Sequence, residues 1–222
     1  MPVSPASAAP DAAAREPRTR TRALLLVNRH SRRGKDDLSS VLARLRAAGL
    51  DLVEGSVERP SQLSEIIRHH RGRVDAVIVG GGDGTLTMAA DGLVDSQLPL
   101  GILPLGTAND LARTLNLPLD PIAAAEVIAA GHRRRIDLGV VNGTHFFNVA
   151  TVGLGVGVTR RLSRERKSRW GVLAYLFTAA RVVLRARPFA ADIRTETETI
   201  RVRTVQVTVG NGRHFGDRKS VV

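Results

Sequence analysis

The motif GGGDGT, at residues 80–85, combines glycines with a single carboxylate and a hydroxyl. Glycine lets the backbone turn sharply and approach an anion with no Cβ in the way. Its N–H groups, with those of a following helix, can form a positive concavity for phosphate. Asp83 can hold Mg²⁺ or accept a proton from an attacking alcohol, and Thr85 can cap the helix. The pattern predicts a loop for nucleotide phosphates; the alternative is a tight turn in which Asp83 only caps the helix.

A second glycine-containing turn lies downstream in PLGTANDLAR, at residues 104–113. Gly106 gives the backbone of this turn conformational freedom, and Thr107 supplies a hydroxyl group. Asn109 and Asp110 stand where a helix should begin, either as caps or as polar contacts to a ligand. The first loop, GGGDGT, matches neither Walker A, because no lysine follows it, nor the GxGxxG pattern of dinucleotide sites.

The elements that position these turns alternate between short apolar runs and helical patterns. Strands are predicted at residues 23–27, 50–57, 74–79 and 98–103. Helices are predicted at 36–48, 61–70 with Ser61 as its N-cap, 85–94, 110–115 after the turn at 105–109, and 122–130. This order is typical of a parallel sheet covered by helices on both faces. Because crossover connections are right-handed, both glycine turns should lie at the carboxyl edge of the sheet, where ligands bind.

The pattern changes after Ile136. Residues 140–149, 191–194 and 200–209 look like strands without intervening helices, and Arg160–Arg187 looks like a helix. We therefore predict an α/β fold, with an N-terminal parallel-sheet domain followed by an incomplete β-rich, sandwich-like domain. The predicted boundaries are a disordered tail at 1–22, the α/β domain at 23–135, the β-rich domain at 136–216 and an unpatterned, non-native tail at 217–222. On this interpretation the chain is truncated at its C-terminus.

Composition narrows the classes of partner. The 222-residue chain has 43% hydrophobic residues, a net charge of +12 and no cysteine. A core can therefore form, and disulfides and thiolate chemistry are excluded. The basic surface suits polyanions, although an arginine-rich proteome would give the same charge. With no recognisable nucleic-acid motif, we predict no nucleic-acid partner.

GGGDGT followed by LGILPLGTANDLAR resembles the catalytic domain of the diacylglycerol kinase family, in particular the bacterial lipid kinases related to sphingosine and NAD kinases. Asn28 after the first strand, NVATVGLGVG at residues 148–157 and GNGRHFG at residues 210–216 support the resemblance. The family pairs an α/β domain with a β-sandwich and has its active site in the cleft between them. Here Arg29 stands where the family usually has proline.

The resemblance implies ATP and Mg²⁺ as cofactors. It places Asn28 close to the phosphates, assigns Asp83 a catalytic role as a base, and implies further carboxylates for base and Mg²⁺ beyond the end of this chain. The residues that would contact ATP are Asn28, Ser56, Gly81, Gly82, Asp83, Gly84, Thr85, Leu86, Thr87, Gly106, Thr107 and Asn109.

We therefore expect an ATP-dependent kinase that phosphorylates diacylglycerol or a related lipid alcohol at a membrane surface. The alternatives are a phosphotransferase like NAD kinase, which PLGTANDLAR and the missing Asn-Glu pair disfavour, and a truncated nucleotide-binding fragment that binds ATP weakly and turns over little. A cytoplasmic location is expected. Arg160–Arg187 either contacts anionic lipid on the inner face of the membrane or packs as an ordinary helix on the β-rich domain.

Overall fold

The computed structural model describes residues 21–29, 31, 33, 38–57, 59–153, 187–212, 214–215 and 218–219. The predicted tail up to residue 20 lies outside the described residues. So does the predicted helix Arg160–Arg187, apart from Arg187, and most of residues 217–222. Within the described part of the chain, no helix combines the length and the apolar character needed to cross a bilayer.

The first half of the chain forms a four-stranded parallel sheet in the order β2-β1-β3-β4. The strands are β1 Thr21–Val27, β2 Leu50–Gly55, β3 Ala76–Gly81 and β4 Leu100–Pro104. β1 begins before the predicted residue 23, because Thr21 and Arg22 pair with the start of β2 rather than belonging to a tail. The predicted α/β fold class is confirmed.

Five α-helices accompany this sheet in the described residues, three of them between its strands and two after β4. They are α1 Ser39–Ala47, α2 Leu63–His69, α3 Asp83–Ser96, α4 Asp110–Thr114 and α5 Pro121–Ala130. The predicted N-cap Ser61 is wrong: it lies inside a 3₁₀ turn, Pro60–Gln62, for which Arg59 is the N-cap. Gln62 closes this turn by accepting a hydrogen bond from the backbone N–H of Arg59.

Successive residues of the strands are buried alternately in two hydrophobic cores, one on each face of the sheet. Leu24 and Leu26 face α2, α3 and α4, where Ile67 and Leu86 are part of the same cluster. Residues of the opposite pleat face α1 and α5, in a cluster that contains Ala23, Leu25, Ile78, Leu103, Val41, Leu45, Ala124 and Ala125. Because successive side chains of a strand point to opposite faces, these short apolar runs require helices on both sides.

Helices α2 and α3 approach each other closely at Gly92. A Cβ built on Gly92 would lie 2.5 Å from the carbonyl oxygen of Ser64 and 2.6 Å from its Cα. The Ser64 hydroxyl donates to the carbonyl oxygen of Met88 and accepts from the N–H of Gly92. The glycine thus allows the two backbones to touch, and the serine satisfies polar groups at the crossing.

The second part of the chain is β-rich, as predicted, but its strands differ in detail. They are β5 Gly139–Val141, β6 Thr144–Phe146, β7 Val149–Gly153, β8 Phe189–Arg194, β9 Thr199–Thr204, β10 Gln206–Gly210, β11 His214–Phe215 and β12 Arg218–Lys219. All their described pairings are antiparallel: β5 with β6, β7 with β10, β8 with β9, and β11 with β12.

Two predicted strands are each divided. The run at residues 140–149 is a hairpin followed by the start of β7, because Asn142 and Gly143 adopt φ of +49° and +77° and reverse the chain. The run at residues 200–209 breaks at Val205, so that β9 pairs with β8 and β10 pairs with β7. Strand β11 lies within the GNGRHFG segment at residues 210–216 and pairs with β12.

Candidate functional site

Strand β3 passes into helix α3 through one residue, Gly82. The predicted loop at residues 80–85 is therefore too long: Gly80 and Gly81 end the strand, and Asp83 begins the helix. The physical reason is the small size of the glycines. A Cβ on Gly81 would lie 2.6 Å from the Cβ of Thr85, so the first turn of α3 can fold directly against the strand end only where residue 81 is glycine.

The second glycine turn lies directly against the first. The N–H of Leu105 donates to the carbonyl oxygen of Gly81 at 3.0 Å. A Cβ on Gly106 would lie 2.5 Å from the Cα of Gly82, and one on Gly82 would lie 3.0 Å from the Cα of Gly106. The two turns, predicted to share the carboxyl edge of the sheet, are thus in backbone contact.

Asn109 shapes the second turn. It adopts φ of +53° as the N-cap of α4, a left-handed conformation that asparagine tolerates. Its Oδ1 accepts from the N–H of Gly106 at 2.9 Å, and its Nδ2 donates to the carbonyl oxygen of Gly106 at 3.2 Å. The buried Asn109 side chain is therefore used to hold the turn. Its contact with ATP stays a prediction.

The Asp83 carboxylate contacts helix α4 and the segment just before β7. Its Oδ1 accepts from the backbone N–H of Leu111, in the first turn of α4, at 3.0 Å. The same oxygen accepts from Nδ2 of Asn148 at 3.2 Å. Among the described residues, Oδ2 has no hydrogen-bond partner. Gly82, not Asp83, is the N-cap of α3, so the alternative in which Asp83 only caps its own helix does not describe this contact.

Asn28 ties the end of β1 to the first turn of α3. Its N–H donates to the carbonyl oxygen of Gly80, and its Nδ2 donates to Oγ1 of Thr85 at 2.9 Å. Thr85 is buried, and its hydroxyl lies in the helix rather than at the N-cap. The Thr87 hydroxyl donates to the carbonyl oxygen of Asp83. The strand end and the helix start are therefore held as one unit.

The remaining predicted contacts lie around this unit. Ser56 is exposed immediately after β2, at the same edge of the sheet, and Thr107 is exposed in the second turn. Leu86 is 2% exposed and belongs to the core, so only its backbone could contact a ligand. Gly84 is exposed in the first turn of α3, with nothing within 4 Å of a Cβ built on it.

Two groups at this site were not predicted as site residues. The Leu111 amide contributes its backbone N–H, which leaves no mark in a sequence. Asn148 begins the NVATVGLGVG segment, which served only to support the family resemblance. Its distance of 65 residues from Asp83 in the chain hides the contact from any local pattern.

The described residues contain no group of three or more His, Cys, Asp or Glu side chains that could hold a metal ion. Mg²⁺ is commonly bound by one or two carboxylates together with substrate phosphates and waters. The free Oδ2 of Asp83 is consistent with such a sparse protein contribution.

A second contact to α3 lies two turns beyond Asp83. Oδ1 of Asp91 accepts from the backbone N–H of His145 at 2.9 Å and lies 2.7 Å from its Nδ1. These bonds, with the charges of His145 and Arg68, lower the pKa of Asp91 below its ordinary value of 3.8, against the opposing effect of desolvation. Asp91 and His145 thus attach the β5–β6 hairpin to α3.

We expect Asp91→Asn to lower the free energy of unfolding at pH 7 by about 1 kcal/mol or less, because the side chain is 34% exposed and solvent screens the pair. A lowered pKa stabilises the fold above pH 3.8 and loses that effect as the pH falls through the folded-state value. Urea unfolding between pH 3 and pH 7 gives the free energy of unfolding of each protein. The difference between wild type and Asp91→Asn should become smaller only below about pH 4. A difference that is constant across this range would contradict the assignment.

Comparison with known proteins identifies the family. The model of the family described as "Diacylglycerol kinase catalytic domain" matches residues 22–141, which include both glycine turns. The chain belongs to this family. The match covers the parallel sheet, apart from Thr21, and its five helices.

Individual members of the diacylglycerol kinase family support the assignment. A Pseudomonas aeruginosa protein named "Probable lipid kinase YegS-like" is 36% identical over 201 residues, which are 87% of this chain and 65% of the relative. A "Diacylglycerol kinase" of Staphylococcus saprophyticus is 34% identical over 165 residues, covering 73% of this chain and 53% of the relative. The chain therefore spans just under two thirds of the first protein and about half of the second.

A solved structure from the same family agrees in fold. The crystal structure of a diacylglycerol kinase from Bacillus anthracis superposes with a TM-score of 0.69 at 29% sequence identity. The superposition covers 90% of this chain and 67% of that one. The likeness thus extends beyond the α/β part into the β-rich part of the chain.

Proposed function

We propose that the protein is an ATP-dependent lipid kinase that transfers the γ-phosphate of ATP to a hydroxyl of diacylglycerol or a related lipid alcohol. The family membership and the names of the relatives support the kinase class and the lipid acceptor. The paired glycine turns at one edge of a parallel sheet support a nucleotide site. The acceptor would be presented at a membrane surface. A contact of Arg160–Arg187 with anionic lipid would involve residues that, apart from Arg187, lie outside the described part of the chain.

The observation that carries the proposal is the open space at Gly84. Gly81, Gly82 and Gly106 are each explained by a close neighbour in the protein, but nothing lies within 4 Å of a Cβ built on Gly84. Its φ is not in the left-handed region, and glycine lowers helix stability by about 1 kcal/mol relative to alanine. A phosphate approaching the N-terminus of α3 gives this glycine a physical reason, because it would occupy the space a side chain takes.

The described residues fit ATP with Mg²⁺. The N–H groups at the start of α3 and in the turn at Gly106 lie at one edge, where a phosphate chain can be held. The free Oδ2 of Asp83 would hold the Mg²⁺, directly or through water, or accept the proton of the lipid hydroxyl. When bound, Mg²⁺ neutralises charge on the phosphoryl oxygens.

The protein's contribution on this proposal is mainly positioning. Asn28 and Asn109 hold the two turns, and Gly82 and Gly106 let them touch, so the N–H donors are fixed before substrate binds. Such preorganised donors stabilise developing charge without reorganising during the reaction. No side chain here needs to form a covalent intermediate, because phosphoryl transfer depends largely on positioning and electrostatics.

The proposed function is tested by incubating the protein with ATP labelled at the γ-phosphate, Mg²⁺ and vesicles that contain diacylglycerol. Label in the lipid fraction supports the proposal. A parallel incubation with NAD tests the NAD kinase-like alternative, and ATP binding measured by calorimetry tests the inactive nucleotide-binding alternative. Label in NADP but not in lipid, or ATP binding without any transfer, would overturn the lipid kinase proposal for this chain.

A more local prediction concerns Gly84→Ala. We expect it to weaken ATP binding at least about 10-fold, equivalent to 1.4 kcal/mol, because the new methyl group occupies the space assigned to phosphate. The melting temperature should stay the same or rise, because alanine favours the helix. Calorimetric titration with ATP and thermal unfolding without ligand measure the two effects. Unchanged ATP affinity would argue against phosphate binding at this helix start.

A further inference from the structure

We propose that Asn148 is a positioning residue for Asp83: its side-chain amide fixes the carboxylate so that Oδ2 is left for the reacting groups. The inference rests on the proposed function for its kinetic meaning, but the contact itself does not depend on it. Asn148 lies just before β7, outside both glycine turns, and Asp83 is the first residue of α3. The amide therefore connects the β-rich part of the chain to the candidate active site.

The orientation of the Asn148 amide is determined by Asp83. Nδ2 donates to Oδ1 of Asp83 at 3.2 Å, whereas the Oδ1 of Asn148 is buried and has no hydrogen-bond partner among the described residues. Rotating the amide by 180° would place its oxygen against the carboxylate oxygen, bringing two acceptors together. The observed orientation therefore requires an acceptor at Asp83, which an ionised carboxylate supplies.

The unpaired oxygen of Asn148 is the cost of this arrangement. A buried acceptor without a donor destabilises a protein, and nearly all such groups are paired in native structures. If the only role of residue 148 were to fill space, an apolar side chain would serve without that cost. The exception thus points to a role for the amide N–H toward Asp83.

The backbone of Asn148 is also held firmly. Its carbonyl oxygen accepts from the N–H of Asn211 at 2.6 Å and from the N–H of Gly212 at 3.1 Å. Nδ2 of Asn211 in turn donates to the carbonyl oxygens of Phe147 and Asp137 at 2.8 and 2.9 Å. A Cβ on Gly212 would lie 2.9 Å from Oδ1 of Asn148, so glycine at 212 leaves room for the amide.

As a result, the two carboxylate oxygens of Asp83 have different roles. Oδ1 accepts from the Leu111 N–H and from Asn148, so rotation of the carboxylate would break both bonds. Oδ2 is then held toward whatever occupies the site. Catalytic groups gain from such support, since small displacements reduce the rate.

The kinetic test uses Asn148→Ala and Asn148→Asp in the full chain. Asn148→Ala should lower kcat about 10- to 100-fold with the KM for ATP nearly unchanged, because the carboxylate is misplaced while the phosphate turns are intact. Asn148→Asp keeps the shape but replaces the donor by an acceptor, so it should lower kcat at least as much. Asp91→Asn is the matched control: it loosens the same segment from α3 without touching Asp83, and should retain kcat.

A kcat of wild-type size in Asn148→Asp would overturn the proposal. So would a loss of kcat in Asp91→Asn as large as that in Asn148→Ala, since the effect would then be one of general attachment. Equal loss of ATP affinity and kcat in Asn148→Ala would likewise indicate disruption of the phosphate turns.

A spectroscopic test separates this inference from the proposed function. In protein labelled with ¹⁵N at asparagine, the Nδ2 resonances of Asn148, assigned by their loss in Asn148→Ala, should shift in Asp83→Ala and stay in place in Asp91→Asn. If wild-type protein phosphorylates no lipid, the proposed function fails, and these resonances alone decide the contact: a shift in Asp83→Ala supports it, and unchanged resonances overturn it.

Discussion

Asp83→Asn is expected to lower phosphoryl transfer to lipid by about 10²- to 10⁴-fold while the protein stays folded. The asparagine Oδ1 can still accept from the N–H of Leu111 and from Nδ2 of Asn148, so the contacts of the carboxylate in the fold are preserved. The change removes the negative charge and the basic oxygen at Oδ2, which are the properties that a proton acceptor or a Mg²⁺ ligand needs. The initial rate of label transfer from ATP to diacylglycerol measures the effect.

Asp83→Leu is the companion variant that separates charge from structure. It removes the acceptor for the Leu111 N–H, and leaving a buried donor unpaired should lower the free energy of unfolding by about 1–3 kcal/mol. Asp83→Asn should unfold like wild type in urea. If Asp83→Asn transferred phosphate at the wild-type rate, Asp83 would be a structural residue only, and its predicted catalytic role would be wrong.

Gly92→Ala is expected to lower the free energy of unfolding by about 1–3 kcal/mol, although alanine is the better helix former. The new Cβ would lie 2.5 Å from the carbonyl oxygen of Ser64 and 2.6 Å from its Cα. Both are backbone atoms of α2 and cannot rotate away, so the two helices must separate. Separation also stretches the bond from the Gly92 N–H to the Ser64 hydroxyl.

The control for Gly92→Ala lies on the same helix. Gly84→Ala places the same methyl group on α3 with nothing within 4 Å, and should leave stability unchanged or raise it. Urea unfolding of both variants gives the difference in their free energies of unfolding. Equal m-values would confirm that the two variants unfold in the same kind of transition. Equal stability of the two variants would mean that α2 and α3 do not approach at Gly92 as described.

The α/β part of the fold was accessible from the sequence because each of its strands is a short apolar run bounded by turn residues. Because these strands are buried on both faces, they are continuous apolar runs, and the apolar residues between them recur at regular helical spacing. The order of the strands was not accessible, since β1 lies between β2 and β3 by long-range pairing. Strand ends shifted by a few residues, most visibly at Gly80 and Gly81, where glycines that suggest a loop continue the ladder.

The β-rich part was predicted less well for an identifiable reason. The Asn142-Gly143 dipeptide is a strong hairpin signal. It lies between valines and aromatic residues that together resemble a single strand, and the prediction therefore treats residues 140–149 as one strand. Near Val205 the apolar residues shift from even positions, Ile200 and Val202, to odd positions, Val205, Val207 and Val209. This change of phase marks the break between β9 and β10, but it does not reveal that the two strands have different partners.

The candidate site divides in the same way. The glycine turns and Asp83 carry local signals, because glycine and a carboxylate at a strand end are unusual. The contacts of Asn148 and of the Leu111 amide with Asp83 depend on the tertiary fold, and nothing near them in the chain marks them. The ATP contacts assigned to Ser56, Thr107 and their neighbours stay predictions.

The contact between Gly82 and Gly106 limits how this sequence can diverge. A side chain at one position would meet the main chain of the other, and the main chain cannot be shortened by a second substitution. A clash between two side chains can be relieved by a second substitution that makes the neighbouring side chain smaller. A clash between a side chain and the main chain cannot be relieved in this way. A substitution at either position therefore cannot be compensated by a smaller residue at the other, so the two glycine turns constrain each other's sequence as well as each other's structure.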